Sequence, residues 1–367
     1  MPDSGLNIAG ALWSVKLPAL SYWIFEPLSL RALGLNSRTR EGMVSPALIA
    51  DAFDLEAIEK AAQIIRGGGL VAFPTETVYG LGADVENPLA VARIFEVKAR
   101  PKIDPVIVHV ADAASASKYG IFSELASRLT SRFWPGALSL VVTKTSSVPS
   151  IVTAGLDTVA IRVPSHAAAL ALIRASGCGI AAPSANLFGY VSPTTAQHVA
   201  EQLGDKIDLI LDGGACTIGV ESTILSLADT IPLVLRAGGV AVEALESVIG
   251  DLNVSIETAA RPVVPGQMKR HYATRTRLVI SEQEVEELNP GERAGLLSLL
   301  PPEHPERYAA VEVLSTSGNL NEAAAKFFGA LRRLDLLSLD RIIARPMPER
   351  GLGLALMDRL RRCSASE

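Results

Sequence analysis

The chain has 367 residues, which predicts two domains, and its 49% apolar content is enough to bury sizeable cores. The formal net charge of −5 argues against a surface that generally coats nucleic acid, although it permits a local basic pocket. The three cysteines, Cys178, Cys216 and Cys363, lack paired metal-binding spacing, which indicates neither a zinc site nor a disulfide framework and fits a cytoplasmic location. No apolar run is long enough to predict a membrane span.

Residues 1–50 are predicted to be an N-terminal extension. Ala11–Leu33 is largely apolar, but prolines interrupt it and it lacks the basic start of a signal peptide. Two explanations stay open. The segment is either a poorly ordered extension or the product of a start codon assigned too far upstream, with Met43 as the true first residue.

Residues 51–250 are predicted to form one α/β domain, because strand-like apolar runs alternate with helical periodicity. Asp54 is placed to cap the first helix, which Gly67 ends. The predicted strands are Leu70–Phe73, Pro105–Val110, Ala137–Val142, Val159–Val163, Gly179–Ala182, Asp208–Asp212, Ser222–Leu227 and Pro232–Leu235. The later helices are Pro88–Val97, Phe122–Phe133, His166–Ala175, Thr195–Leu203 and Val242–Ile249. This alternation predicts a twisted, mixed open sheet with flanking helices.

Residues 251–276 are predicted to be a linker, because they show little periodicity and contain Pro262, Pro265 and Gly266. The α/β pattern then restarts over residues 277–367. Its elements are strands Arg277–Ile280, Ala294–Leu299, Val311–Leu314 and Arg341–Ala344, and helices Leu320–Leu334 and Leu352–Arg361. We expect a smaller, Rossmann-like C-terminal α/β domain with a parallel sheet.

Three cations, Lys98, Arg100 and Lys102, fall between a predicted helix and a predicted strand. Fixed cations bind phosphates well, and arginine adds bidentate geometry. The flanking prolines Pro101 and Pro105 would stiffen such a loop. The same cations could instead only complement a helix dipole, so both interpretations stay open.

Further polar groups recur where predicted strands end. Ser184 and Asn186 follow one strand, and Arg236 follows another. Arg162 lies inside a strand, where it would face inward as a fixed cation for a carboxylate unless that strand is at an edge. A turn with a helix cap would equally explain Ser184 and Asn186. Open α/β sheets bind ligands at strand ends, so the recurrence indicates a polar pocket there.

Together these motifs resemble the YrdC-type threonylcarbamoyl-AMP synthases in their long two-domain form. The similarity covers about Leu55–Arg362. The matching strings are PTETVYGLG (74–82), KxRP (98–101), WPG (134–136), AIRVP (160–164), APSAN (182–186), GVESTI (219–224), LRAG (235–238), PGQMKRHYA (265–273) and GLGLA (351–355). No single string is specific, but the joint match is.

The resemblance implies that L-threonine, bicarbonate and ATP, with Mg²⁺, give threonylcarbamoyl-AMP, pyrophosphate and water. A downstream tRNA threonylcarbamoyl transferase complex would use the product to modify the adenosine beside the anticodon. The resemblance assigns no metal to a protein side chain.

The resemblance also implies roles for particular residues. Lys98 and Arg100 would stabilise charge on the phosphates during catalysis. Threonine would contact Thr77, His109, Arg162, Ala182 and Ser222. ATP would contact Arg100, Asp104, Thr158, Ser184, Ser192 and Arg236, while Asn186 supports the phosphate loop and Tyr272 closes over the nucleotide.

Three residues depart from the family pattern. Ser139 replaces a more usual threonine, which is a small change, and Thr274 replaces a common proline, which could loosen the linker. Asp104 replaces the usual asparagine, and a carboxylate repels phosphates unless it binds Mg²⁺ or turns away.

Two other functions compete with the synthase hypothesis. A carbamoyl-adenylate enzyme of hydrogenase maturation would carry zinc-finger cysteines, which are lacking here. A double-stranded-RNA or tRNA-binding module without catalysis is weakened by the acidic net charge, although weak RNA binding stays open.

Overall fold

A computed structural model describes residues 47–256, 258–259, 261–268, 271–283 and 288–365. The strands within them are β1 (Leu48–Asp51), β2 (Val71–Phe73), β3 (Gly80–Asp84), β4 (Ile107–His109), β5 (Leu138–Thr143), β6 (Thr158–Arg162), β7 (Ile180–Ala182), β8 (Leu209–Asp212), β9 (Thr223–Ser226), β10 (Leu233–Arg236), β11 (Asn253–Val254), β12 (Leu278–Ile280), β13 (Ala294–Ser298), β14 (Ala310–Val313) and β15 (Arg341–Ala344). Of the predicted extension, residues 1–46 lie outside these ranges, as do Lys269 and Arg270 of the predicted linker. Residues 48–50 of that extension belong instead to strand β1, which pairs with β8.

The helices of the described residues alternate with these strands. They are α1 (Leu55–Arg66), α2 (Pro88–Lys98), α3 (Ala113–Ala116), α4 (Glu124–Phe133), α5 (Ala167–Ser176), α6 (Ala196–Leu203), α7 (Val242–Ile249), α8 (Leu320–Asp335) and α9 (Gly353–Ser364), with a short 3-10 turn at Pro305–Arg307. None of them is both long enough and apolar enough to cross a membrane.

Strands β1–β11 form one mixed sheet in the order β1-β8-β2-β3-β7-β4-β6-β5-β9-β10-β11. Helices cover both faces of this sheet. Successive residues of a strand point to opposite faces, so alternate residues at β2 contact different helices. Val71 and Phe73 pack with α1 and α5, whereas Leu70 and Ala72 pack with α2 and α6. The predicted mixed sheet with flanking helices is confirmed.

The first helix begins where the sequence predicts. Asp54 caps α1, and its carboxylate accepts a hydrogen bond of 3.1 Å from the backbone N–H of Glu56. Ala57, Ile58 and Ile65 of α1 are buried against the sheet. The helix therefore starts from a local cap and is stabilised by the burial of its apolar face.

Strand β3 was not predicted, because its two glycines favour a loop. The structure explains both glycines by the ring of Phe73 on the neighbouring strand. A Cβ atom at Gly80 would lie 3.1 Å from that ring, and one at Gly82 would lie 2.8 Å from it. Glycine is needed here because the ring covers the backbone of β3.

The C-terminal sheet is separate and entirely parallel, in the order β12-β15-β13-β14. Helices α8 and α9 contribute to its core. The same core includes Val78, Val191 and Val220 of the large sheet region, packed with Phe327 and Phe328. The predicted small domain with a parallel sheet is confirmed, and its helix α8 packs on the region that carries the site described below.

Substituting Gly82→Ala tests this close packing. The new methyl group would meet Ile180 Cγ2 at 2.7 Å and the Phe73 ring at 2.8 Å, so we expect a loss of about 1–3 kcal/mol in the free energy of unfolding. Urea unfolding measures the loss. Gly329→Ala in α8 is the control, since its methyl would meet only the end of Arg333 at 3.4 Å and alanine favours helix. Equal stability of both variants would contradict the packing argument.

Candidate active site

A polar pocket lies on the large sheet, lined by residues from the centre of the strand order. Its lining comprises Thr75, Thr77, Val78, Gly80, Arg100, Ile107, His109, Arg162, Ala182, Pro183, Ser184, Glu221, Ser222, Arg236, Pro265 and His271. Eight of these are residues for which the sequence predicts a substrate contact. The strings that are far apart in the sequence therefore meet in one place.

Arg162 is buried and faces the pocket from the end of β6. The edge-strand alternative is wrong, because β6 pairs with β4 on one side and β5 on the other. Its Nε donates to the carbonyl of Gly136 at 3.0 Å, and its two terminal nitrogens donate to Thr77 Oγ1 at 2.8 Å and Glu76 Oε1 at 2.6 Å. The guanidinium is therefore fixed in place by three different partners.

The loop between β2 and β3 is held by its own hydroxyls. Thr75 Oγ1 lies 2.8 Å from Thr77 Oγ1 and donates to the carbonyl of Val78 at 2.6 Å. The carboxylate of Glu76 is buried, and its Oε2 atom has no hydrogen-bond partner among the described residues. Thr75 and Thr77 of this loop line the pocket, and the buried carboxylate of Glu76 holds the Arg162 guanidinium there.

His109 ends β4 on the same side of the pocket. Its ring is buried, packs edge-on against Phe73 with centroids 6.0 Å apart, and has no partner for Nδ1 among the described residues. Burial, together with the charge of Arg162, lowers the pKa of His109 to about 3. The imidazole is therefore neutral near pH 7 and suits hydrogen bonding.

The other side of the pocket carries Arg100. Its Nε donates to the carbonyl of Asp104 at 3.1 Å and a terminal nitrogen donates to the carbonyl of Pro105 at 2.7 Å. That nitrogen also forms an ion pair with Asp104 Oδ2 at 2.9 Å, although neither carboxylate oxygen has a hydrogen-bond partner among the described residues. Burial raises the pKa of Asp104 against the opposing effect of Arg100.

Lys98 does not line the pocket. Its buried ammonium donates to the carbonyl of Ser184 at 2.6 Å and to the carbonyl of Asn186. The amide of Asn186 in turn donates to the carbonyls of Leu187 and Tyr190, each at 2.8 Å. Burial and the charge of Arg100 lower the pKa of Lys98 well below its ordinary value. In this structure Lys98 and Asn186 fix the loop that presents Ser184 to the pocket.

Arg236 and Ser222 form the third wall. Two nitrogens of Arg236 donate to the carbonyl of Ser222 at 3.1 and 2.9 Å, and the third donates to the carbonyl of Pro265 at 3.1 Å. The Ser222 hydroxyl lies 2.8 Å from the hydroxyl of Ser139. Nearby, Ser192 Oγ donates to Glu221 Oε1 at 2.6 Å. The predicted ATP contact Ser192 therefore reaches the pocket only through Glu221.

Three more predicted ATP contacts do not line the pocket, and Asp104 is the first of them. Thr158, at the start of β6, does not line the pocket. Tyr272 is fully buried and stacks on Phe328 with centroids 5.6 Å apart, while its neighbour His271 lines the pocket instead. Burial raises the pKa of Tyr272 to about 12, so its hydroxyl is protonated. The predicted closure of Tyr272 over a nucleotide stays a prediction.

Glu76 and Glu221 have no role in the sequence-based hypotheses, yet the structure buries both. Glu221 lines the pocket, and Glu76 is paired with the pocket residue Arg162. Each stands directly before a residue that was assigned a role, Thr77 and Ser222. A carboxylate beside an apolar strand is rarely buried unless it is paired. That rule, applied to these two positions, could have identified both residues.

Comparison with known proteins identifies the family. A family profile described as "Telomere recombination" matches residues 63–238, and a second, described as "Threonylcarbamoyl-AMP synthase, C-terminal domain", matches residues 240–365. The chain is 43% identical to the threonylcarbamoyl-AMP synthase of Pyrococcus abyssi, over 84% of this chain and 94% of the relative. It is 46% identical to that of Bacillus subtilis, over 83% of this chain and 91% of the relative.

The chain belongs to the Sua5-type threonylcarbamoyl-AMP synthases. The crystal structure of P. abyssi Sua5 in complex with L-threonine matches with a TM-score of 0.81 at 39% identity, covering 87% of this chain and 98% of that one. The match to this Sua5 structure includes both sheets described above, because it extends over most of the chain.

Replacing His109 tests the pKa that its burial produces. In the unfolded chain His109 is protonated below about pH 6.5, whereas in the folded protein its pKa is about 3. Because the unfolded state binds the proton more readily, the free energy of unfolding falls as the pH falls below about 6.5. We expect His109→Asn to flatten the fall in unfolding free energy between about pH 6.5 and pH 5, by up to ~1.4 kcal/mol per pH unit.

Urea unfolding at the two pH values measures this slope. His304→Asn is the matched control, because His304 is exposed. An acid slope in the His109 variant as steep as in the parent would contradict a neutral, buried His109.

Proposed function

We propose that this protein condenses L-threonine, bicarbonate and ATP into threonylcarbamoyl-AMP, with release of pyrophosphate and water. Arg100, Arg162 and Arg236 together line one largely buried pocket, and this observation carries the proposal. Three fixed guanidiniums in a low-dielectric site suit a reaction between a carboxylate substrate and a triphosphate. The Sua5 family membership supports the same reaction.

We place threonine on the side of Arg162. The guanidinium would pair with the substrate carboxylate, and the hydroxyl of Thr77 and the neutral imidazole of His109 would contact the remaining polar groups. The match to P. abyssi Sua5, whose crystal structure is a complex with L-threonine, supports threonine as the substrate. Ala182 and Ser222 also line the pocket and would complete the threonine site.

The reaction needs no protein nucleophile. Bicarbonate would take up a proton and lose water to give CO₂, and the threonine amine would add to CO₂ and release a proton to form a carbamate. The carbamate oxygen would then attack the α-phosphate as the bond to pyrophosphate breaks. Arg100 and Arg236 would stabilise the charge on the phosphates, and Lys98 and Asn186 would hold the loop that presents Ser184. Ser192 would act through Glu221, while the predicted roles of Asp104, Thr158 and Tyr272 at ATP are retained as hypotheses.

We propose that Mg²⁺ arrives with ATP. The described residues hold no group of three or more His, Cys, Asp or Glu side chains suited to a metal ion. Magnesium commonly keeps several waters and binds substrate phosphates, so the site does not need a protein cage for it. The bound ion would offset the negative charge of phosphate oxygens that do not contact an arginine.

The direct test is turnover by the full-length protein. Purified protein with ATP, Mg²⁺, bicarbonate and single amino acids should release pyrophosphate with threonine, and mass spectrometry should identify the adenylate. Product with serine but not with threonine would overturn the substrate assignment. Absence of any turnover, with binding of RNA that weakens as salt rises, would favour the binding-module hypothesis.

Replacing Arg162→Gln should remove the cation that we assign to the threonine carboxylate. We expect the KM for threonine to rise at least about tenfold, equivalent to ~1.4 kcal/mol, with a smaller change in the KM for ATP. Steady-state pyrophosphate release measures both constants. Arg174→Gln, an exposed arginine of α5, is the control and should keep parental constants. Equal rises in both KM values would contradict the assignment.

Substituting Asp104→Asn tests the departure from the family pattern. The change removes a buried negative charge beside Arg100, while the backbone carbonyls of residues 104 and 105 still hold the guanidinium. We expect the KM for ATP to fall, by about threefold or more, because less negative charge opposes the phosphates. A higher KM would instead assign the carboxylate to a metal bound with ATP.

We further propose that the adenylate passes to a tRNA threonylcarbamoyl transferase complex in the cytoplasm. The acyl-phosphate bond of the product is labile in water, so a partner enzyme must use the product before it hydrolyses. We also propose that this protein binds RNA weakly while the adenylate is transferred. Transfer to unmodified tRNA, with the purified transferase complex added, would test the first of these proposals.

A further inference from the structure

Arg359 lies on α9 of the C-terminal domain, yet its side chain is fully buried. Its acceptors include two groups of the large sheet region. Its Nε and one terminal nitrogen lie 3.2 and 3.1 Å from Glu221 Oε2, and the other terminal nitrogen donates to the carbonyl of Ala237 at 2.7 Å. That nitrogen also donates to Asp358 Oδ2 at 2.9 Å. An arginine is buried this completely only when its charge and donors are satisfied.

Both acceptors in the large sheet region are next to residues of the pocket. Glu221 precedes Ser222 at the start of β9, and Ala237 follows Arg236 at the end of β10. These strands are antiparallel neighbours, so the two segments lie side by side. Arg359 therefore joins the two chain segments that form the third wall of the pocket.

The contact of Arg359 with Glu221 affects the pocket because Glu221 carries a negative charge. Although burial opposes ionisation, Arg359, Arg236 and the Ser192 hydroxyl hold the pKa of Glu221 below its ordinary value, so its carboxylate is charged. Arg359 binds Oε2 from behind the pocket, and Ser192 binds Oε1. If Arg359 were removed, Arg236 would be the remaining arginine acting on that carboxylate. A carboxylate turned toward Arg236 would neutralise a cation proposed for ATP.

We propose that Arg359 is a positioning residue for ATP binding in the pocket. It holds Glu221 away from Arg236, keeps the Ser222 and Arg236 segments in register, and thereby gives the C-terminal domain a direct part in ATP binding. This inference rests on the proposed function, because Arg236 is an ATP contact only if the pocket binds ATP.

The test compares Arg359→Met with the parent in full-length protein. We expect the dissociation constant for ATP, measured by calorimetry, to rise at least about tenfold, with a parallel rise in the KM for ATP and a change in kcat below about threefold. Circular dichroism confirms that the variant is folded at the assay temperature. Calorimetry also separates the two proposals, because a parent that binds ATP without turnover rejects the synthase reaction and not the role of Arg359.

A second variant tests the mechanism. Adding Glu221→Gln to Arg359→Met removes the charge that would turn toward Arg236, so ATP affinity should return to within about threefold of Glu221→Gln alone. Arg361→Met is the matched control on the same helix, because Arg361 pairs at the surface with Glu349. It should bind ATP like the parent.

Three results would overturn the proposal. They are a folded Arg359→Met with parental ATP affinity, an affinity loss that Glu221→Gln does not reduce, and a loss confined to kcat with an unchanged KM for ATP. If Arg359→Met does not fold, Arg359→Lys decides. Lysine keeps a cation beside Glu221 but cannot reproduce the planar fork, so the proposal requires weaker ATP binding, and unchanged binding contradicts it.

Discussion

The burial of charge is the constraint on which the rest of this structure depends. The described residues include six buried cationic side chains, namely Lys98, Arg100, Arg162, Arg236, Arg359 and Arg362, and four buried carboxylates, Glu76, Asp104, Glu221 and Asp358. Burying a charge is costly unless it is paired and hydrogen-bonded. Backbone carbonyls supply most of the remaining acceptors, for Arg100, Arg236 and Lys98 alike. Among the described residues of the pocket lining, Arg100, Arg162 and Arg236 outnumber the single carboxylate of Glu221, and this excess of positive charge favours an anionic ligand.

The fold provides those carbonyls by ending strands and loops at one place. Strands β4 and β6 end beside each other at His109 and Arg162, whose Cα atoms are paired in the sheet. The adjacent β9 and β10 bring Ser222 and Arg236 together in the same way. Close packing of β3 on the Phe73 ring then fixes the loop that carries Thr77. The placement of the buried charges therefore depends on the packing of the sheet, because a shift of these strands would leave buried donors unpaired.

Much of this arrangement follows from local sequence signals. The Asp54 cap and the apolar strands were predictable, because caps and burial patterns are local. Strand β3 was not, because only the distant Phe73 explains its glycines. At the site, motif resemblance identified Arg162 and Arg236, whereas the orientation of Lys98 toward the carbonyls of residues 184 and 186 depends on a loop nearly ninety residues away. Long-range partners of this kind leave no local pattern.

Arg359 is the clearest example of such a long-range partner. Its sequence neighbourhood, a helix rich in arginine near the end of the chain, resembles a solvated face, and Arg361 on the same helix is indeed exposed. What distinguishes the two arginines is the carboxylate each one meets, Glu221 in the pocket wall or Glu349 at the surface. Exposed pairs contribute little because water screens them, whereas breaking a buried pair leaves an uncompensated charge. The separation of the two domains would therefore expose Glu221 to Arg236, which ties the chemistry of the first domain to the docking of the second.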